Sequence, residues 1–150
     1  KAMGAHVTAY DLKESSRQLA RQFGADVVLE SLTLDDASKE YDFVADIVSI
    51  QSTFDLALKQ VKSNGLVIPL GLGSPKLTFD QNDLLVREIR ILGSFWGTSL
   101  DQAEVFDLVK SGAFKPQVET GKFKDLNEIL EKLEKGQIKS RLVLTDFDDI

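Results

Sequence analysis

The hydrophobic period of this chain switches back and forth between strand-like and helix-like spacing along its whole length, and that alternation constrains the fold more than any other feature. Residues 6–10 (HVTAY) read as a short strand, and 13–23 (KESSRQLARQF) set Leu19, Ala20 and Phe23 on one helical face before Gly24 stops the helix. A second strand is expected at 26–29 and a short helix at 33–38. Residues 43–48 (FVADIV) are apolar and rich in β-formers but broken by Asp46; 53–61 (TFDLALKQV) are helical, with Ser52 as the expected N-cap. Asn64-Gly65 marks a turn before a strand at 66–70 (LVIPL). A helix at 81–86, a strand at 88–95 (EIRILGSF) and a helix at 100–110 stopped by Gly112 follow. An extended piece near 116–119, a helix at 125–135 and a last strand at 141–144 close the chain. Strands alternating with helices imply a parallel sheet with helices packed on it, an α/β fold. Nearly continuous apolar strands such as FVADIV and LVIPL imply burial on both faces.

Bulk properties narrow the function. At 150 residues, 43% of them apolar, the chain has the length and composition of one ordinary globular domain. A net charge of −6 without a basic block argues against nucleic-acid binding, which rests on phosphate neutralisation. There is no Cys, so neither a disulfide nor a thiolate metal site can form. No apolar run approaches the ~20 residues that span a bilayer, and no signal-peptide layout stands at the N-terminus. A soluble, cytoplasmic protein is the expectation.

Parallel sheets bind ligands at the carboxyl ends of their strands, which directs attention to Asp11, Val48 and Ser49, residues 70–73, and residues 94–96. Asp11 has two readings. A carboxylate closing the second strand of a dinucleotide-binding unit accepts hydrogen bonds from the adenosine ribose hydroxyls and repels a 2′-phosphate, favouring NAD over NADP. An Asp after a strand also caps the helix that follows, and the two roles are compatible. The ribose role requires a glycine loop about 20 residues earlier, whereas ten residues precede Asp11 and Gly4 is the one glycine among them. On the ribose reading, KAMGA is the tail of a helix that such a loop would open. Gly71-Leu72-Gly73 is not itself a phosphate loop, because Ser74-Pro75 follow where a helix should start.

The segments, taken in order, resemble the medium-chain dehydrogenase/reductase family, which includes the zinc-dependent alcohol dehydrogenases. AMGAHVTAYDLKESSRQLARQFGADVVLES is similar to the family's helix end, strand, acid, helix and "lGAd"; YDFVADIVS to its "vDvvld.vG" strand; NGLVIPLGLG to "gG.lv.vGl"; LVREIRILGSFWGT to "..kel.i.Gs..gt". LNEILEKLEKGQIKSRLVL resembles its closing helix, glycine, arginine and last strand. The resemblance implies an incomplete Rossmann-type doubly wound parallel sheet without its first strand, plus a C-terminal strand-helix-strand tail. It divides the chain into 1–113, a partial dinucleotide-binding domain, and 114–150, a tail that packs with a catalytic domain elsewhere. It assigns Asp11 to the ribose, with Lys13 beside it, and places Val48 at the end of the strand bordering the cofactor. Ser49 falls where the family usually has Gly, and its side chain threatens the close approach a glycine allows. Leu70, Gly71 and Leu72 match the turn facing the nicotinamide, Ser94, Phe95 and Trp96 the segment whose backbone holds the carboxamide, and Arg141 an arginine that reaches the pyrophosphate.

The same resemblance implies a homo-oligomer, paired through residues 90–94 (RILGS), and a small alcohol or carbonyl substrate. Catalytic and metal-binding side chains are expected outside this chain, since His6 is its only histidine and stands alone in a strand. Three functions remain open: part of an NAD-dependent alcohol oxidoreductase with zinc in the complete enzyme, part of a zinc-free quinone or enoyl reductase, or a non-catalytic dinucleotide-binding or dimerisation module. Without a central strand, the chain alone is expected to be unstable or to aggregate unless another segment fills the gap, and to bind cofactor weakly or not at all. The apolar face of the 125–135 helix (Leu126, Ile129, Leu130, Leu133) is expected to pack either on an absent partner or on the cofactor domain.

Overall fold

The alternation holds in the computed structural model, which describes residues 1–31, 41–138 and 140–147. Strand β1 (Thr8–Tyr10) leads through helix α1 (Glu14–Gln22) into β2 (Val27–Leu29), and the two strands pair in parallel. Strand β3 (Tyr41–Asp46), helix α2 (Gln51–Gln60), β4 (Val61–Pro69), helix α3 (Gln81–Val86) and β5 (Arg90–Ile91) form a second parallel sheet in the order β3-β4-β5. After helix α4 (Ser99–Lys110), strand β6 (Val118–Lys122), a 3₁₀ turn at Phe123–Asp125, helix α5 (Leu126–Glu134) and β7 (Arg141–Thr145) make a third parallel pair. Among the described residues every ladder is parallel, and β1 and β3 each have one hydrogen-bonded neighbour. The helix expected at 33–38 lies outside the described residues.

The core sits on one side of the second sheet. Phe54, Ala57 and Leu58 of α2 pack with Val61 and Val67 of β4 and with Ile89, and Val44, Leu77, Leu84 and Ile91 close around them. Burial of Phe54, Leu58, Val61, Val67 and Ile89 contributes about 1.5–3 kcal/mol each. The expectation of burial on both faces fails for β3, whose Phe43 is 50% exposed. Only the face toward α2 is covered among the described residues, and an apolar run does not record which of its faces has a neighbour.

Several element ends also differ from expectation, each for a local reason. Strand β3 stops at Asp46 because that carboxylate takes the amides of Val48 and Ser49 and curls the chain away from the ladder. Ser52 is not the cap of α2. Ile50 holds that position, and its amide donates to the Thr53 hydroxyl at 3.2 Å. The Asn64-Gly65 turn lies inside β4, where Asn64 has φ 62° and the register with β3 slips from Tyr41↔Val61 to Phe43↔Leu66. Gly65 is required there, since a Cβ would stand 2.7 Å from the Lys62 carbonyl oxygen and 3.1 Å from that of Asp42. The strand expected at 88–95 shrinks to Arg90–Ile91, with a last bond from the Leu92 amide to the Val67 carbonyl. On α5, Ile129 packs over Gly121 of β6 while Leu130 and Leu133 stay about half exposed, at 48% and 58%.

Candidate cofactor site

Three chain segments emerge at the carboxyl ends of parallel strands. The first carries Asp11, immediately beyond β1. Its amide extends the ladder to the Leu29 carbonyl at 3.4 Å, and its Oδ1 accepts the Lys13 amide at 2.7 Å. Asp11 does not cap α1: the N-cap is Lys13, which carries no side-chain cap bond, and Asp11 Oδ1 instead closes a turn onto the Lys13 amide. Its other carboxylate oxygen makes no hydrogen bond among the described residues. Lys13 is the N-cap residue of α1 and points to solvent. The residue that sequence reasoning missed here is Arg17. It is 6% exposed, and it donates to the carbonyls of Asp11 and Leu12 at 2.9 and 2.8 Å. Its sequence signal was the Glu14–Arg17 spacing of three, which puts the two on one helical face. Partial desolvation pushes the Glu14 carboxyl up. Its hydrogen bond to Arg17 and that cation's charge, with help from Gln18 and Arg21, outweigh this and hold it below the usual value.

The second segment joins the ends of β3 and β4. Asp46, 6% exposed, accepts from the amides of Val48 (3.1 Å) and Ser49 (2.9 Å) and from the Thr53 hydroxyl (2.9 Å). Ser49 is 2% exposed and left-handed, with φ 55°. That conformation explains why a glycine suits the position, since Gly adopts it without strain. The serine side chain does not crowd the open side of the turn. Its hydroxyl donates to the Asp46 carbonyl (3.0 Å) and accepts the Gly71 amide (3.0 Å), stitching one strand end to the other. Leu70 and Gly71 both donate to the Asp46 carbonyl, and Gly73 to that of Val48. A Cβ on Gly71 would stand 2.3 Å from the Val48 oxygen, so the close approach belongs to Gly71. The structure thus brings Val48, Ser49, Leu70 and Gly71 together, with Leu72 exposed at the rim.

The third segment follows β5. Ser94, Phe95 and Trp96 are exposed; the two rings meet edge to face at 5.9 Å, and Trp96 has φ 59°. Arg141 opens β7 in the separate third sheet, opposite Val118. Among the described residues no hydrogen bond, ion pair or ring contact joins Asp11, the β3–β4 turn, the 94–96 segment and Arg141 to one another.

Residues 1–111 match the model of the zinc-binding dehydrogenase family. This chain belongs to that family. An alcohol dehydrogenase of Geobacillus stearothermophilus is 32% identical over 155 residues, which is 99% of this chain and 46% of that protein. The crystal structure of the alcohol dehydrogenase from Aeropyrum pernix matches with a TM-score of 0.82 at 28% identity, over 95% of this chain and 43% of that one. The crystal structure of AibC matches with a TM-score of 0.84 at 26% identity, over 95% and 45%. The chain spans under half the length of these relatives, and what it matches in them is an α/β unit of parallel strands.

The family implies a nicotinamide cofactor and zinc, and the residues present treat the two differently. A free carboxylate oxygen at a strand tip suits a ribose diol, and the amides of Leu72, Ser94 and Phe95, which make no hydrogen bond among the described residues, suit a carboxamide. This donor and acceptor set fits the dinucleotide. It does not fit zinc: the chain has no Cys and one His, and no group of His, Asp and Glu among the described residues is placed to hold a metal. No helix among the described residues is long and apolar enough to cross a membrane.

Proposed function

We propose that this chain is the nucleotide-facing part of an NAD-dependent oxidoreductase that moves hydride between a small alcohol and its carbonyl product. The observation that carries this is Asp11, held at the tip of β1 with one carboxylate oxygen engaged by the Lys13 amide and the other making no hydrogen bond among the described residues. On this reading the free oxygen takes the ribose hydroxyls, with Lys13 alongside. Val48, Ser49, Leu70, Gly71 and Leu72 border the nicotinamide ring, Ser94, Phe95 and Trp96 meet its carboxamide, and Arg141 reaches the pyrophosphate. Zinc would be held by residues outside this chain and would supply Lewis-acid chemistry in the complete enzyme. The 32% identical relative is an alcohol dehydrogenase, which favours this reading over a quinone or enoyl reductase and over a non-catalytic module. A chain without Cys needs no oxidising compartment, and a cytoplasmic location goes with the reading.

The test is ligand-detected NMR of the chain with NADH and NADPH, a method that reads millimolar binding. Two unit charges 4 Å apart interact by ~4 kcal/mol at an effective dielectric of ~20. Screening at an open site leaves about 1.4 kcal/mol, or tenfold. NADH is therefore expected to bind about tenfold more tightly than NADPH, and Asp11→Asn to remove the difference. Equal affinities in the unaltered chain, or a preference that survives Asp11→Asn, would falsify the assignment.

We also propose that the open edge of β5 pairs with its copy in a second subunit. Ile91 packs on the core, so the side chain to change is Leu92, which is 54% exposed. Leu92→Lys is expected to convert a dimer to a monomer in sedimentation velocity; an unaltered mass distribution refutes the pairing.

A further inference from the structure

We propose that Arg17 positions Asp11, and thereby sets how sharply the site separates NAD from NADP. The second half of this statement rests on the cofactor reading above; the first half does not. Arg17 is the one buried residue of α1. A buried cation is costly unless its donors are matched, and here the whole guanidinium is used. Its Nη1 donates to the Asp11 and Leu12 carbonyls, its Nε to Glu14 at 2.9 Å, and its Nη2 lies 2.7 Å from Glu14 and 3.6 Å from Glu30. Glu30 directly follows β2, so one planar group ties together the carboxyl ends of both strands and the first turn of α1.

The consequence for Asp11 is geometric. Its amide is fixed by Leu29, its carbonyl by Arg17, and its Oδ1 by the Lys13 amide. With backbone and one carboxylate oxygen restrained, the other oxygen has a defined direction. The consequence for specificity is one of sign. An arginine near the ribose acid ordinarily accommodates a 2′-phosphate. This one is turned inward and occupied by two carbonyls and two carboxylates, so it offers a phosphate nothing, and the charges left outward are the carboxylates of Asp11, Glu14 and Glu30 with Lys13 as an exposed cation beside Asp11. A lysine cannot substitute, because a single ammonium does not reproduce a planar fork.

The experiment compares Arg17→Met and Arg17→Lys with Asp11→Asn and the unaltered chain. Two quantities are read: the NADH to NADPH affinity ratio, and the amide resonance of Lys13, which reports the bond to Asp11 without any cofactor. In Arg17→Met the Lys13 resonance is expected to move toward its Asp11→Asn position and the ratio to fall at least threefold; Arg17→Lys is expected to move both in the same direction by less. An arginine that merely stabilises the fold lowers both affinities together and leaves the ratio and the resonance where they were. That result in both variants, or in Arg17→Lys alone should Arg17→Met fail to fold, overturns the proposal. An unaltered chain with no NADH preference removes the cofactor reading and the specificity claim with it, and the Lys13 resonance then decides the positioning claim alone.

Discussion

Replacing Asp46 tests whether the β3–β4 turn is built by a buried carboxylate. Its two oxygens serve three donors: the Val48 amide, the Ser49 amide and the Thr53 hydroxyl. These donors are not equally exposed to the loss. The Thr53 hydroxyl has the Ile50 carbonyl at 3.1 Å as an alternative acceptor, so it loses little. Val48 is 52% exposed and its amide can turn to water, at a cost of about 0.5 kcal/mol. Ser49 is 2% exposed, and leaving its amide unpaired costs about 1–3 kcal/mol, while its left-handed backbone loses the bond that holds it. Asp46→Ala should therefore cost about 3 kcal/mol. Asp46→Asn keeps an acceptor oxygen for both amides and loses mainly the strengthening that charge provides, about 1 kcal/mol. Urea unfolding followed by circular dichroism measures both. With a slope of ~1.5 kcal/mol/M the midpoints should fall by about 2 M and about 0.7 M, at unchanged slope. Equal losses in the two variants, or a loss below about 1 kcal/mol for Asp46→Ala, would show that the turn holds its shape without the carboxylate.

Two further outcomes concern Ser49, in the same turn, and Asp26, at the start of the β1–β2 pair. Ser49→Ala loses the bonds to Asp46 and Gly71 and keeps a Cβ at φ 55°, so it should cost about 2 kcal/mol; Ser49→Gly loses the same bonds but relieves the backbone, and should cost about half as much in the same unfolding assay. If alanine is the better tolerated of the two, the left-handed conformation is not what the position selects for. Asp26 accepts from Lys1 at 2.5 Å and from the Val7 amide, and the Lys1 hydrogen bond, followed by that of Val7, holds its carboxyl down from 3.8 to about 2. Because the folded value is depressed, the stabilisation is complete above about pH 3.8 and fades as pH falls toward 2. Carboxyl-detected NMR should show Asp26 titrating near pH 2, and Lys1→Ala should raise that value part of the way, the Val7 bond remaining.

What the sequence disclosed and what it hid separate along physical lines. The helix at 81–86 was recoverable because its cap is local: Asp80 accepts the amides of Asn82 and Asp83. Strand β1 and the acid beyond it were recoverable because a strand that ends on a polar residue leaves its own pattern. The length of the strand at 88–95 was not, since apolar residues such as Leu92 and Phe95 have strand-like spacing whether or not anything pairs with them. The cap of α2 is not legible in the sequence because the oxygen that serves the N-cap amide belongs to Thr53 in the first turn, while Ser52, also inside the helix, takes no part. Ser49 was recognised as a departure from glycine, but only the folded turn shows its hydroxyl turned inward to Gly71. Arg17 is only half legible for a related reason: its spacing from Glu14 marks a pair on one helical face, but a cation on a helix is normally solvated, and its burial depends on carbonyls that tertiary structure delivers.

The distribution of apolar burial explains why a cation matters so much at the first strand. Every buried apolar side chain among the described residues belongs to α2, β4 or the approach to β5. The β1–α1–β2 unit has none, and among the described residues β1 has hydrogen-bonded support on one side only. Short paired strands whose apolar side chains are only half-buried, as Val27, Val28 and Leu29 are here, are marginal by themselves. What fixes this unit is polar: Asp26 on Lys1 and Val7 at one end of the strands, Arg17 on Asp11, Leu12, Glu14 and Glu30 at the other. Directional bonds hold a geometry that non-directional packing does not here provide, and the end held by Arg17 is the end that carries the candidate ribose acid. The β3–β4 turn, by contrast, rests on the apolar core and uses Asp46 and Ser49 only to shape its last few residues. The two halves of the candidate site are therefore stabilised by different physics, and substitutions in one should leave the other intact.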